Sequence, residues 1–251
     1  MKLSAIAFAS IIVAGWAGAA GAGVVIQGQE QASRSVSPRV QSTPYTMMIE
    51  GKQEKILLGS MQLIIDLAAN KVLVMMAGRG AYFELTYPPP SDIGQLILRR
   101  ILPPMVKYKK TGKHLTLAGH GCDQYTGMGA LDSAAVSAEA CYSTDAPGAQ
   151  DYAAFVKSAA AKAGKASAAA SDEIPQGIPL EMDATITLPK RTEAPPLSGQ
   201  KPLPPEKPVV VTLRTVVTSV MSRSIEAREF QPPAGLKLEQ PPRGLGIKTS
   251  R

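Results

Sequence analysis

The chain has two cysteines and two histidines, and all four fall in one stretch. Cys122 and Cys141 lie 19 residues apart on two predicted neighbouring strands, with His114 and His120 just upstream. Three chemistries fit such a set. In an oxidising compartment the cysteines form a disulfide, whose loop contributes about 3 kcal/mol in the chain-entropy account. Alternatively, the His120-x-Cys122 spacing places both side chains on one face of a strand, and with Cys141 and His114 this makes a Cys2His2 metal site, although the spacing matches no standard zinc motif. A Cys–His nucleophile would need a free thiolate beside a base. The methionines form a second group: Met47, Met48, Met61, Met75, Met76 and Met105. Thioethers suit copper(I), but Met47 and Met48 point to opposite faces of a strand, as do Met75 and Met76. In a chain with 5% aromatics, methionine is the natural core filler, or the lining of an adaptable apolar groove.

Other catalytic patterns are missing. The sequence holds no G-x-S-x-G, no H-E-x-x-H and no P-loop. Ser198-Gly199-Gln200-Lys201 matches S-x-x-K but sits among prolines rather than on a helix. Asp66, Glu84, Glu181 and Asp183 alternate with apolar residues, as on a solvated strand face. The expectation is a protein without enzymatic activity or cofactor. The formal net charge is +7. Lys107, Lys109, Lys110 and Lys113 cluster beside Arg99 and Arg100, and Lys157, Lys162 and Lys165 form a second group. Nucleic-acid binding would interleave aromatics for stacking; only Tyr108 is near, so nucleic acid is not expected. Anionic headgroups or cell-wall polymers fit an exported protein better, and a plainly solvated basic surface is the other reading.

The elements that must position these residues follow from patterning. Lys2, the apolar run Leu3–Trp16 and the small residues Ala20-Gly21-Ala22 read as a signal peptide over 1–22; the run is shorter than the ~20 residues of a spanning helix. The mature protein is then periplasmic or secreted. Residues 23–44 are polar and are expected to be a flexible leader. Tyr45 to Tyr87 reads as a β-meander, with Met61, Leu63, Ile65 and Leu67 on one strand face, then Val72, Val74 and Met76, then Phe83, Leu85 and Tyr87. Asn70 and the Gly78-Arg79-Gly80 triplet supply turns. Pro88-Pro89-Pro90 ends the meander. A helix over 93–102 follows, capped by Ser91 and stopped by Pro103-Pro104. Strands are expected over 106–111 and 114–125, around a turn at Thr111-Gly112-Lys113, and over 137–143. Residues 153–170 hold 10 alanines in 18, which predicts a helix over 150–170 docked by Tyr152, Phe155 and Val156. Leu180, Met182, Ala184, Ile186 and Leu188 alternate with polar residues as a half-buried strand. Residues 189–208 are a proline-rich linker, 209–221 a β-branched strand, and 238–251 a disordered basic tail. The fold class is mainly β with helices: a curved antiparallel sheet with one or two helices covering its open face.

The run Lys110-Thr111-Gly112 to Thr116-Leu117-Ala118-Gly119, then Cys122 and Tyr125, resembles the TG…TIAG-x-x-C-x-x-Y segment of the domain of unknown function 4412 family. Ala81-Tyr82-Phe83-Glu84-Leu85, Ile178-Pro179-Leu180 and Phe230-Gln231-Pro232-Pro233-Ala234-Gly235-Leu236 are similar to its other landmarks. That family resembles the periplasmic lipoprotein carriers. The resemblance therefore implies an exported, unclosed β-barrel with helices in its concave face and an apolar groove, and it implies no activity. The proline-rich insert, the basic tail and Cys141 depart from the pattern.

These readings converge on a single half-barrel domain over 45–237. Its groove would bind a hydrophobic or lipid-like ligand, lined by Met61, Ile65, Val74, Phe83, Leu85, Met182 and Ile186, with Ile97 and Ile101 from the covering helix. The alternative is an envelope interaction module acting on an envelope protein or anionic surface through the linker and tail. A weaker alternative is periplasmic copper or zinc binding.

Overall fold

The computed structural model describes residues 23–35, 37–89, 106–131, 134–163, 174–188 and 208–241, with Ser37, Pro38, Ala130 and Leu131 described by backbone alone. The expected signal peptide, the helix over 93–102 with Ile97 and Ile101, the insert over 189–207 and residues 242–251 lie outside the described residues.

Twelve strands form one open sheet. The first six follow one another as an antiparallel meander: β1 Gly23–Arg34, β2 Ser37–Glu50, β3 Gln53–Leu58, β4 Met61–Asp66, β5 Lys71–Met76 and β6 Ala81–Thr86. A second meander comprises β7 Lys107–Leu117, β8 His120–Leu131, β9 Ala134–Ser143, β10 Ile178–Thr187 and β11 Val210–Arg223. The helix α1, Ala149–Ala163, is inserted between β9 and β10. Antiparallel pairing of β1 with β11 joins the two meanders. A three-residue β12, Lys237–Glu239, pairs parallel to β6 and closes that edge.

Sheet alternation sends Val24 and Ile26 to one face and Val25 to the other. The face that carries α1, the inner face, buries Val24, Ile26, Ile49, Leu63, Ile65, Val72 and Leu85 together with Tyr152, Phe155 and Val156 of the helix. A second inner-face cluster, Val106, Ala134, Val136, Ala138, Ala184 and Ile186, lies beyond the helix. On the outer face Val25, Ile64 and Met75 are covered by Ile225 and Phe230 from the segment after β11. α1 lies against β1, β2 and β10. Its alanines allow close approach: Ala149, Ala159 and Ala160 are buried. The Tyr87 hydroxyl donates to the Ala159 carbonyl at 3.0 Å, tying the helix to the end of β6. Asp151 in the first turn and Lys162 in the last match the helix dipole.

Three expectations are corrected. The leader over 23–44 is not loose: it forms β1 and the first half of β2, and β1 has a neighbour on both sides. Its apolar residues are concentrated at Val24–Ile26, while Gly28 and Glu30 take inward positions among exposed glutamines, which hides the alternation. The hairpin between β7 and β8 turns at Ala118-Gly119, both at positive φ (50° and 81°). The expected turn at Thr111-Gly112-Lys113 is instead a bulge within β7. Finally, Leu238 and Glu239, assigned to the disordered tail, belong to β12.

Candidate ligand cleft

The polar residues that interrupt the inner face lie in one row. Glu30 on β1 pairs with Thr43 on β2 and with Thr215 on β11, and Thr215 pairs with Met182 on β10. Directly opposed residues of antiparallel strands share a face, so this row crosses the sheet between the helix-covered cluster and the second cluster. A cleft opens there. Its walls are Ile26 and Glu30 of β1, Tyr45 and Met47 of β2, Ile56 and Leu58 of β3, Ile178, Pro179 and Met182 of β10, Thr215 of β11, and Tyr152 of α1. About 40 Å³ of it is free, room for roughly three waters.

Backbone geometry builds one wall. Tyr45 lies directly across from Gly28. A Cβ at Gly28 would stand 2.6 Å from the Tyr45 ring and 2.4 Å from the Val216 carbonyl oxygen, so glycine is what lets the ring lie flat on β1. Glu30 is only 7% exposed. Burial, then the nearby charge of Glu30, pushes the Tyr45 hydroxyl above its ordinary range. Burial likewise pushes Tyr152 well up, with Glu54, Tyr45 and Tyr108 adding to it. Both phenols stay protonated and can donate.

The expected groove residues divide by location. Ile65, Val74, Phe83 and Leu85 are buried, with Met61 packed against them, in the cluster that also contains the large residues of α1. Ile186 belongs to the second cluster. Met182 stands between the two and lines the cleft. Sequence reasoning missed Glu30, Tyr45 and Thr215. Their signal was faint: a glutamate in register with Ile26, inside a run of alternating glutamines.

A second buried polar group lies nearer the far end of α1. Glu54 on β3 is 1% exposed and opposes Ile49 and Ile65. Its Oε2 has no hydrogen-bond partner among the described residues, and burial raises its pKa to about 8. Tyr87 is pushed up to about 12 by burial and then by Glu54.

Cys122 and Cys141 form a disulfide, S–S 2.07 Å and Cα–Cα 5.4 Å. This removes both thiolates from the Cys2His2 and Cys–His readings, since only a free thiolate ligates metal or attacks. His114 Nδ1 lies 3.3 Å from Asp123 Oδ1 on the surface. Among the described residues no group of three or more His, Cys, Asp or Glu is arranged to hold a metal ion. The methionines separate as well: Met47 and Met61 face inward, Met48 and Met75 outward, and Met76 is exposed; Met105 lies outside the described residues. The strand carboxylates have partners at or near the surface: Lys71 Nζ–Glu84 Oε1 at 3.0 Å, Gln53 Nε2 donating to Asp66 Oδ2 at 2.9 Å, and Arg214 bridging Glu181 and Asp183 at 2.5 and 3.8 Å. In the basic cluster, Lys110 pairs with Asp123 at 2.6 Å on the edge strand β7.

No protein-family profile matches the chain, and no curated protein matches it in sequence. Among solved structures, PNGF-II in its C2 crystal form is similar at 9% identity and TM-score 0.39, over 87% of this chain and 31% of that one, so this chain spans about a third of its length. A protein of the domain of unknown function 1329 family from Desulfovibrio piger is similar at 8% identity and TM-score 0.38, over 84% and 90% of the two chains. A putative outer membrane lipoprotein-sorting protein domain from Vibrio parahaemolyticus is similar at 6% identity and TM-score 0.33, over 83% and 89%. Likenesses at this level assign neither a ligand nor an activity. No helix among the described residues is long and apolar enough to cross a membrane.

Proposed function

We propose that this chain is an exported, non-enzymatic binding protein that takes an apolar or lipid-like ligand on the inner face of its open sheet. The observation that carries this reading is the cleft at the end of α1, where Ile26, Met47, Ile56, Leu58, Ile178 and Met182 surround an opening instead of closing on one another. Methionine adapts its shape to a bound chain, and two of these walls are methionine. The cleft as it stands holds roughly three waters, so a longer chain enters as α1 shifts along the inner face. Such a shift would loosen the apolar cluster that Ile65, Val74, Phe83 and Leu85 share with Tyr152, Phe155 and Val156 of α1. The disulfide fits an oxidising compartment outside the cytoplasm.

Native mass spectrometry of the protein purified from its own envelope, before and after mild organic extraction, tests this reading. A bound lipid-sized mass that extraction removes is expected. Met182→Glu places an unpaired charge in the cleft and should cut uptake of a fluorescent acyl probe at least tenfold. Met128→Glu, at a residue 76% exposed, should leave uptake unchanged. Equal uptake by a folded Met182→Glu protein would sink the proposal.

A further inference from the structure

A second hollow lies on the outer face of the sheet, away from the cleft. After β11 the chain turns back over this face. The Ile225 N–H donates to Glu50 Oε2 at 2.8 Å, and in the 3-10 turn Ala227–Phe230, Glu229 pairs with Lys55 of β3 at 2.8 Å. Phe230 is buried with Ile64 and Met75. The chain then crosses to the far edge, where the Lys237 N–H donates to the Gly80 carbonyl at 3.1 Å and β12 pairs with β6. Pro232 and Pro233 lie on this crossing and have no N–H to give to the sheet beneath. Held at both ends, the crossing leaves a cavity of about 170 Å³ between itself and the sheet. Ile64, Leu73 and Tyr82 line it from the sheet, and Phe230 and Pro232 from the crossing. Asp66, Lys71 and Glu84 bring charge to it.

A cavity of ~150 Å³ with hydrocarbon walls accepts a benzene ring, so this one is the size of a single ring. Its charged residues decide what the ring carries. Asp66 is engaged within the fold, accepting from Gln53 Nε2 at 2.9 Å and from the Ala69 N–H at 2.8 Å. Lys71 and Glu84 pair with each other at the surface, Nζ to Oε1 at 3.0 Å. An ammonium has three donors and a carboxylate about four acceptor positions, so the pair still presents a donor and an acceptor side by side. A hydroxyl uses both: it accepts from Lys71 and donates to Glu84, and no charge has to be neutralised. We propose that this cavity binds a phenolic ring, seated between Leu73 and Phe230 with its hydroxyl on the Lys71–Glu84 pair. A bare hydrocarbon ring would cover that pair without replacing its water. The site lies on the other face of the sheet and is independent of the cleft and of the ligand proposed for it.

Titration of the full chain, its isoleucine and leucine methyls labelled for NMR, with p-cresol, toluene and N-acetyltyrosinamide tests this. p-Cresol should shift the methyls of Ile64 and Leu73, and it should bind about fivefold more tightly than toluene, the net worth of one hydrogen bond. Lys71→Met removes the donor and should bring p-cresol down to the level of toluene; a surface pair of this kind contributes little to folding. Toluene binding as tightly as p-cresol to the wild-type chain overturns the phenolic assignment. Shifts at Ile56 and Ile178 of the cleft without shifts at Ile64 and Leu73, or no shifts at all, overturn the site. A p-cresol preference that persists in folded Lys71→Met overturns the role given to the Lys71–Glu84 pair. N-Acetyltyrosinamide distinguishes the sources of the ring: binding as tight as that of p-cresol supports a tyrosyl side chain of a peptide, and its exclusion supports a free phenol. The cresol-against-toluene comparison is made on the wild-type chain, so it decides the matter even if the variant fails to fold.

Discussion

Glu54 is a buried carboxyl whose ionisation is coupled to stability. Its folded-state pKa is about 8 against an ordinary 4.5, because the carboxyl is buried with Ile49 and Ile65 as its cross-strand neighbours. Tyr87 and Tyr152 are the titratable groups whose ionisation its charge opposes. At pH 7 it keeps its proton. The sign follows from linkage: below pH 4.5 both folded and unfolded chains are protonated and burial costs no ionisation energy. Between pH 4.5 and 8 only the unfolded chain releases the proton, so stability falls as pH rises, by up to roughly 1 kcal/mol per pH unit. Asp123, Asp145 and Glu229, with lowered pKa values, act in the opposite sense at more acid pH, while Asp183, raised by burial, acts in the same sense as Glu54. Urea midpoints measured from pH 5 to 9 should decline for the wild type. Glu54→Gln should flatten that decline and be the more stable protein at pH 8. Parallel slopes would assign the effect to other groups.

At the scale of elements, the second meander depends on a covalent link. β8 and β9 are joined by the Cys122–Cys141 disulfide, which closes a loop of sequence separation 19. Loop-closure entropy sets its contribution at about 3 kcal/mol. The Cys122→Ala/Cys141→Ala protein should lose about that much in urea unfolding, and dithiothreitol should affect the wild type but not the variant. A loss below about 1 kcal/mol would show that sheet pairing alone holds these strands. Tight backbone packing fixes the two ends of the α1 insertion. At Gly148 (φ +76°) a Cβ would stand 2.5 Å from that of Val24, and at Gly177 (φ +102°) 2.1 Å from the Ser143 carbonyl oxygen. A side chain at either position would meet backbone or a neighbouring Cβ and would also hold a left-handed φ, so both positions call for glycine.

At the scale of the whole molecule, the sheet has a centre and two different edges. β1 is paired along its length on both sides, and among the described residues β1–β11 is the one strand pairing that joins the two meanders. β7 is the opposite case, an edge strand exposed over most of its length and bearing four lysines. Lysine on an edge discourages strand addition by another chain. The other edge is shielded by β12. Amide hydrogen exchange should therefore be slowest in β1 and its partners, approaching the global unfolding rate, and fastest in β7 and β12. Protection of β7 equal to that of β1 would mean that the edge is covered in solution. Adding the fluorescent acyl probe should alter exchange in α1 and the start of β10 before it alters β7, because the cleft lies between those elements.

What the sequence determined by itself is the class of fold and the local order. Alternation in β4, β5, β6 and β10, the turn at Asn70 (φ +54°) and the alanine-rich helix were all legible, because each depends on neighbours within a few residues. The cysteine pairing was legible too, as the plainest of three readings. The tertiary structure decided that the polar N-terminal segment is the central strand. Its burial comes from β2 and β11, and β11 lies almost two hundred residues away in sequence. It also decided that Ile65, Val74, Phe83 and Leu85 are buried in one cluster with the large residues of α1, and that a cleft lies around Glu30, Tyr45 and Met182. Glu30 and Gly28 break the pattern that marks a strand, and they build the cleft. A local pattern reports which side chains can be buried, but only the assembled sheet shows where burial is left incomplete.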